Sequence, residues 1–210
     1  MASELNLSRS PKILQEFNIP LSLSDEGCAK IIGEILHFCI EDLIELTFFS
    51  QDKLSQDTVN RVNHLVDKVL SRLPDPFPER DKVSSEAKRL LESFLKNEET
   101  FKKLRQILSK TKKIIIEPQA YFHRKGEILR PDIVLVGSNR IYLIEIKLKP
   151  TDLSEEQIND YLSLLRDLYP NFPLSVYLLT IDPPDIKELS KEEERDAKKL
   201  YSSAQLPLFR

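Results

Sequence analysis

Several residue types that build common functional sites are scarce in this 210-residue chain. It has four glycines and no Gly-x-x-x-x-Gly-Lys motif, which argues against a nucleotide-binding loop of that kind. Two cysteines, Cys28 and Cys39, are too few for a disulfide framework, so we expect buried free thiols in a reducing cytoplasm. The three histidines, His37, His64 and His123, lack the mutual spacing of a metal site.

Long apolar runs are scarce as well. No stretch approaches the ~20 apolar residues of a transmembrane helix. No charged segment followed by an apolar one opens the chain as a secretory leader would. We therefore expect a cytoplasmic protein that neither spans a membrane nor is secreted.

Charge nearly balances over the whole chain but not along it. There are 31 Lys and Arg against 34 Asp and Glu, whereas residues 101–150 hold twelve basic and four acidic residues. A basic segment of this kind can attract nucleic acid even on an acidic protein. The alternative is that its lysines and arginines only coat a solvated helix.

Apolar residues at helical spacing predict helices at 25–49 and 58–73. The proline-rich segment 74–80 cannot be helical and predicts a linker. Residues 84–109 predict one helix, or two with a restart near 97–100. The expected organisation has three parts, which are a helical extension with its linker (1–80), an α/β core (81–185), and a carboxy-terminal helix with a tail (186–210).

The middle of the chain has the alternation and the turns of an antiparallel sheet. Strands are predicted at 114–123, 128–136 and 141–148, with turns at 124–127 and 137–140 between them. The short turn at 137–140 makes the strands on either side of it antiparallel partners.

Three charged side chains come together in this arrangement. Period two places Glu145 and Lys147 on one face of their strand, and pairing about the turn brings Asp132 opposite the stretch near Glu145. Two neighbouring carboxylates repel each other and are stable mainly with a divalent cation between them. Oxygen ligands favour Mg²⁺ or Mn²⁺ over Zn²⁺, and such a cation beside a lysine is suited to phosphodiester hydrolysis. The alternative is a solvated Glu–Lys ion pair on a strand surface.

A helix follows these residues. Ser154 to Gln157 form a capping box, and an apolar stripe continues from there at helical spacing. Gln157 and Tyr161 are four residues apart and share one face, although Tyr161 in such a stripe could equally be a core residue. The run 174–181 predicts the last strand, which Pro183 and Pro184 should stop.

Arg130-Pro131-Asp132, then Glu145-Ile146-Lys147 and a helix, resembles the signature of the PD-(D/E)xK nuclease superfamily. The resemblance covers residues 84–182. It implies an α/β, restriction-endonuclease-like core with the order α-β-β-β-α-β and a mixed sheet flanked by helices. It also implies that Asp132 and Glu145 hold the metal, with the Ile146 carbonyl completing the shell, and that Lys147 assists the attacking water.

A Gln-x-x-x-Tyr similar to that of Gln157 and Tyr161 follows the Glu-x-Lys in RecB-like and CRISPR-associated members of the superfamily. There these side chains support the active site and the DNA backbone, a role we expect here for Gln157, Tyr161 and Arg130. The pattern leaves a third acidic metal ligand open. The candidates are Glu86, Glu92, Glu98, Glu99 and Glu117.

The resemblance therefore implies a Mg²⁺- or Mn²⁺-dependent DNA nuclease, in particular an endonuclease, acting in repair, recombination or defence. Two alternatives remain open, a non-catalytic protein that binds nucleic acid or is recruited by a sliding clamp, and a nuclease for RNA or branched DNA. Two cuts in a duplex often require a homodimer.

The carboxy terminus suggests a protein partner. A charged helix is predicted from Ser190 to Tyr201, and the tail after it resembles the Gln-Leu-x-Leu-Phe peptide by which bacterial replication and repair proteins dock on the sliding clamp. Its anchors can fill a preformed apolar pocket. The alternative is a tail that folds onto its own domain. The predicted anchors are Gln205, Leu206, Leu208 and Phe209.

Overall fold

The computed structural model describes residues 25–50, 64–71, 79–118, 120–122 and 126–191. The chain forms two compact units, Met1–Glu98 and Glu99–Arg210. Within the described residues, no helix is both long enough and apolar enough to cross a membrane.

The first unit is helical where it is described. Helix α1 spans Asp25–Ser50, residues 64–70 are helical (α2), and α3 spans Arg80–Lys96. The predicted helix 25–49 is therefore confirmed, and the predicted helix 58–73 is confirmed over residues 64–70, since Ser71 lies in a turn. Helix α3 begins at Arg80 rather than at residue 84, directly after Glu79 in the left-handed conformation (φ 56°), so the proposed linker ends one residue earlier than expected.

Packing in this unit follows from the apolar stripes of its helices. Helix α1 contacts α3, and both cysteines of α1 are buried free thiols, as the sequence predicts. Burial raises the pKa of the Cys39 thiol far above its usual range. Five large side chains of α1 are completely buried, namely Ile35, Leu36, Ile40, Leu43 and Ile44.

The second unit is built on a mixed sheet. Helix α4 spans Glu98–Leu108, so the predicted restart after residue 96 is confirmed, and α5 spans Glu155–Leu168. In chain order the strands are β1 Thr111–Ile116, β2 Ala120–Phe122, β3 Glu127–Leu129, β4 Ile133–Gly137, β5 Ile141–Lys147, β6 Leu174–Ile181 and β7 Pro184–Lys191.

Five of these strands form one sheet in the order β1-β4-β5-β6-β7. Its pairs are antiparallel except for β5 and β6, which are parallel and joined through α5. Strands β2 and β3 form a separate antiparallel hairpin. The fold is thus α/β with a five-stranded mixed sheet flanked by helices, as predicted at the level of class.

Two predicted strands are each divided in the structure. The run 114–123 breaks because Glu117 takes a positive φ of 46° and Pro118 cannot donate to the ladder, so β1 and β2 lie in different sheets. The run 128–136 breaks at Arg130-Pro131-Asp132 for the same lack of an amide proton. Both breaks fall where the hairpin β2–β3 leaves the main sheet.

The prediction that 174–181 is the last strand was wrong. It forms β6, but Pro184 begins β7 instead of ending the sheet. A proline is tolerated at the first residue of an edge strand, where its missing N–H leaves no partner unsatisfied. Ser190 consequently lies in β7 and does not cap a helix, and the remainder of the predicted carboxy-terminal helix lies outside the described residues.

Helix α5 packs its apolar stripe onto one face of the sheet. The stripe meets Val134 and Val136 of β4 and Ile141 and Leu143 of β5. Each such side chain contributes about 1.5–3 kcal/mol when fully buried. The opposite face of β5 is buried too, so the strand has the continuous apolar character of an interior strand. The helix residues of the stripe are Ile158, Tyr161, Leu162 and Leu165.

The turn between β4 and β5 fixes the register of these strands and requires a glycine. The Gly137 amide donates to the Arg140 carbonyl at 2.9 Å. A Cβ at Gly137 would lie 2.9 Å from the Lys110 carbonyl oxygen and 3.0 Å from that of Arg140. Both are backbone atoms that cannot move aside without distorting the turn.

Gly137→Ala is therefore expected to lower the free energy of unfolding by about 1–3 kcal/mol through steric overlap, measured by urea denaturation. Gly33→Ala is the matched control, because a Cβ at Gly33 in α1 meets no atom within 4 Å. That change should raise stability by about 0.5–1 kcal/mol through better helix propensity. Equal effects of the two substitutions would contradict this account of the turn.

Candidate functional site

The pairing of β4 with β5 brings two acidic side chains to one face of the sheet. Val134 pairs with Leu143, and both side chains face α5. Asp132 comes two residues before Val134 and Glu145 comes two residues after Leu143, so both acids share this face. The Ile146 amide donates to Asp132 Oδ2 at 2.8 Å in a buried hydrogen bond, which fixes the aspartate beside the glutamate.

Glu145 and Lys147 form a mostly buried ion pair. Lys147 Nζ lies 2.6 Å from Glu145 Oε1, and the two side chains are 19% and 1% exposed. The alternative of a solvated surface pair is thus wrong, since a carboxylate this deeply buried requires a cationic or hydrogen-bonding partner. Glu145 does not open onto solvent itself, and the partly exposed Lys147 gives the site its access.

The helix α5 supplies a chain of hydrogen bonds to this pair. Lys147 Nζ donates to Gln157 Oε1 at 3.3 Å, and Gln157 Nε2 donates to the Tyr161 hydroxyl at 2.9 Å. Tyr161 in turn donates to the Arg130 carbonyl at 3.0 Å. The Ser154 hydroxyl accepts the Gln157 amide at 3.3 Å and begins the helix as predicted. Gln157 and Tyr161 therefore connect Lys147 to the segment that carries Asp132.

The pKa of the Tyr161 phenol reflects its burial and the charges of the two nearby acids. Burial raises the pKa of its phenol well above the usual value of 10.0, and the charges of Glu145 and Asp132 raise it further. The phenol therefore stays protonated and can act as a hydrogen-bond donor throughout the physiological range. Both carboxylates are close enough to Tyr161 to act on it together.

A second ion pair lies on the other side of Asp132. Arg130 Nη2 contacts Glu117 Oε2 at 2.6 Å, and the Glu117 amide donates to the Asp132 carbonyl at 2.7 Å. This pair closes the base of the hairpin β2–β3. From the sequence Glu117 was expected only as a candidate metal ligand, and its pairing with Arg130 was not predicted. The signal was present in the sequence, because Glu117-Pro118 and Arg130-Pro131 interrupt two apolar runs.

The structure thus links all the predicted core residues of the site through hydrogen bonds. These residues are Arg130, Asp132, Glu145, Ile146, Lys147, Gln157 and Tyr161.

The candidates for a third acidic ligand have other partners. In the second unit, Glu117 lies beside Asp132, whereas Glu99 pairs with Lys103 at 3.2 Å. Glu86 and Glu92 of the first unit pair with Arg89 and Lys96 on α3. The predicted anchors Gln205, Leu206, Leu208 and Phe209 lie outside the described residues.

The donor set suits a hard divalent cation. Asp132 and Glu145 offer carboxylate oxygens, which are the ligands that Mg²⁺ and Mn²⁺ prefer.

Part of the predicted basic surface is exposed in the second unit. Lys103 is bound to Glu99 and Asp185, which pair with it from α4 and β7. Because β1 is an edge strand, its lysines also discourage edge-to-edge pairing with another chain. Binding of nucleic acid by this surface stays a prediction. The exposed lysines are Lys102, Lys110, Lys112 and Lys113.

Comparison of the chain with protein-family models finds no match, and comparison with curated proteins finds none either. A function must therefore be argued from the side chains of the site and their chemistry.

Tyr161→Phe is expected to lower the free energy of unfolding by about 1–2 kcal/mol, because the part-buried Arg130 carbonyl loses its donor. Tyr177→Phe is the matched control. It removes an exposed hydrogen bond to Glu188 and should cost less than about 0.5 kcal/mol. Chemical denaturation of both variants checks this, and an equal loss in the two would show that Tyr161 does not brace the segment.

Proposed function

We propose that this protein is a Mg²⁺- or Mn²⁺-dependent nuclease, in particular an endonuclease, that hydrolyses phosphodiester bonds in DNA. The proposal rests on one observation, the hydrogen bond from the Ile146 amide to Asp132 Oδ2. That bond holds Asp132 beside Glu145, while Lys147 lies 2.6 Å from Glu145. Two carboxylates and a lysine on one face are the groups that metal-assisted hydrolysis of a phosphodiester requires.

Asp132 and Glu145 would hold the cation through their carboxylate oxygens, with the Ile146 carbonyl as a further ligand. The chemistry that Mg²⁺ or Mn²⁺ supplies is Lewis acidity, which makes water more acidic and offsets charge on the phosphate.

Lys147 is the residue that we assign to the attacking water. Its ammonium has three protons, and two of them are held by Glu145 and Gln157. Within the described residues the third proton has no acceptor, and it can point to a water or to a phosphate oxygen. Gln157 limits the rotation of the ammonium, so the third proton keeps one direction.

Tyr161 and Arg130 are assigned to support the site and the substrate. Tyr161 braces the Arg130 carbonyl, which limits the motion of Asp132 two residues later. The guanidinium of Arg130 is one-third exposed and can reach a phosphate of the DNA backbone.

The order of elements also supports the proposal. Helix α4, the strands β1, β4 and β5, helix α5 and strand β6 follow one another as α-β-β-β-α-β once the hairpin β2–β3 is set aside. We propose on this basis that the core is restriction-endonuclease-like, with β7 as an additional edge strand. The excess of basic residues at 101–150 is consistent with a polyanionic substrate.

Cleavage of plasmid DNA and of single-stranded and branched oligonucleotides in Mg²⁺ or Mn²⁺ tests the proposal. Lys147→Ala should reduce kcat by about 100-fold to 1,000-fold, since a donor at the developing charge is worth that much. Lys147→Arg keeps a charge beside Glu145 and should fold, yet its planar fork cannot reproduce the same geometry and activity should still fall.

Lys149→Ala is the matched control, because Lys149 is exposed two residues beyond Lys147, and its activity should equal that of the wild type. Cleavage that needs no divalent cation, or that survives loss of the Lys147 ammonium, would contradict the mechanism. Preferential cleavage of RNA or of branched DNA would instead revise the substrate.

A non-catalytic DNA-binding protein is the second candidate. The observation that favours it is the Lys147–Glu145 contact, which already neutralises the most deeply buried carboxylate without a metal. Binding of DNA by the wild type, with no cleavage at any Mg²⁺ or Mn²⁺ concentration, would decide for this alternative.

We further propose that the terminal peptide Gln205–Phe209 docks on a sliding clamp, on the strength of its sequence alone. Deletion of residues 204–210 should abolish binding to a purified bacterial clamp, measured by surface plasmon resonance. The same deletion should leave nuclease activity on free DNA unchanged. Equal clamp binding by the full-length and truncated proteins would refute the docking peptide.

A further inference from the structure

The ion pair between Glu117 and Arg130 is more deeply buried than ion pairs on a protein surface usually are. Their side chains are only 17% and 33% exposed, and Nη2 and Oε2 are 2.6 Å apart. Arg130 Nε is buried and makes no hydrogen bond within the described residues. A guanidinium has five donor protons, so this contact leaves much of its hydrogen-bonding capacity unused.

The backbone of Glu117 is held in an uncommon conformation. Its φ of 46° lies in the left-handed region, which non-glycine residues seldom adopt and which clusters at functional sites. This conformation aims the Glu117 amide at the Asp132 carbonyl, 2.7 Å away. The same residue thus contacts Asp132 through its backbone and Arg130 through its side chain.

We propose that the Arg130 guanidinium binds a phosphate of the nucleic-acid backbone and that Glu117 is the positioning residue that orients it. Glu117 is then not the third metal ligand. The inference rests on the proposed function and assigns a role in substrate binding to a residue pair of the same site. Arginine suits this task because its planar fork can bind a phosphate through two parallel hydrogen bonds.

The Glu117 carboxylate is already engaged, since its Oε2 atom accepts from Arg130. Such a pair does not by itself exclude a metal ligand, because Glu145 Oε1 accepts from Lys147 in the same way. The Mg²⁺ dependence of Glu117 variants therefore distinguishes a positioning role from metal binding, whereas an anionic phosphate is directly complementary to the charge of Arg130. Arg130 is also only two residues from Asp132, so a phosphate bound there lies next to the carboxylates.

A double-mutant cycle on DNA binding tests the pair. Binding of a fluorescein-labelled DNA duplex is measured by anisotropy in Ca²⁺ for the wild type, Glu117→Ala, Arg130→Ala and the double variant. Each single change should weaken binding about tenfold, the scale of one charge-assisted contact. The double variant should bind no more weakly than Arg130→Ala, since both changes remove one interaction.

Two further variants separate the side chain of Glu117 from its backbone. Glu117→Gly accepts the positive φ without strain and keeps the fold, yet it should lose as much affinity as Glu117→Ala. Glu188→Ala on β7 removes a carboxylate that accepts an exposed hydrogen bond from the Tyr177 hydroxyl, and it should bind like the wild type. In cleavage assays, Glu117→Ala should raise KM while the Mg²⁺ concentration for half-maximal rate stays unchanged.

A higher Mg²⁺ requirement in Glu117→Ala, with unchanged DNA affinity, would overturn the inference and identify Glu117 as a metal ligand. Additive effects in the cycle would overturn it as well. If the wild type binds DNA but does not cleave it, only the proposed nuclease function fails, and the binding cycle still decides the role of the pair. If the wild type binds no DNA, both proposals fail.

Discussion

Burial of the Glu145 carboxylate is the constraint on which the rest of the site depends. A charge that is almost fully removed from water is unstable unless positive groups or donors surround it. Lys147 meets this need from the same strand, two residues away. Because the ammonium must then stay beside Glu145, its remaining protons are directed by Gln157 and by the position of α5. The geometry of the lysine follows from the need to neutralise a buried acid.

The fold supplies this arrangement through three connections. The short turn at Gly137 sets the register of β4 and β5, which brings Asp132 to the amide of Ile146. The crossover through α5 then carries Gln157 and Tyr161 over the same face, where Tyr161 is both part of the apolar stripe and a donor to Arg130. Helix packing and the polar network therefore support each other, since a shift of α5 along the sheet would break both.

The sequence was most informative where one local rule decided the outcome. Alternation along β5 and the turn at 137–140 were sufficient to place Asp132, Glu145 and Lys147 together, and the spacing of α5 predicted its face. The rule failed where tertiary context prevailed. Glu117-Pro118 marks an interruption of the apolar run 114–123, but it does not indicate that Glu117 turns left-handed or that β2 enters a separate hairpin. The strand β7 was missed because Pro184 is a strand breaker except at an edge, and the edge exists only in the folded sheet. The burial of Glu145 was likewise invisible, because it depends on α5 covering that face.

Electron paramagnetic resonance of Mn²⁺ in the absence of nucleic acid tests whether Asp132 and Glu145 bind one cation, since it reports metal binding without requiring catalysis. We expect the wild type to bind one Mn²⁺ ion per chain, and we expect Asp132→Asn and Glu145→Gln each to lose this binding while Glu188→Gln retains it. Equal Mn²⁺ binding by the wild type and by Asp132→Asn, or no binding by the wild type, would contradict the convergence of these two acids on one cation.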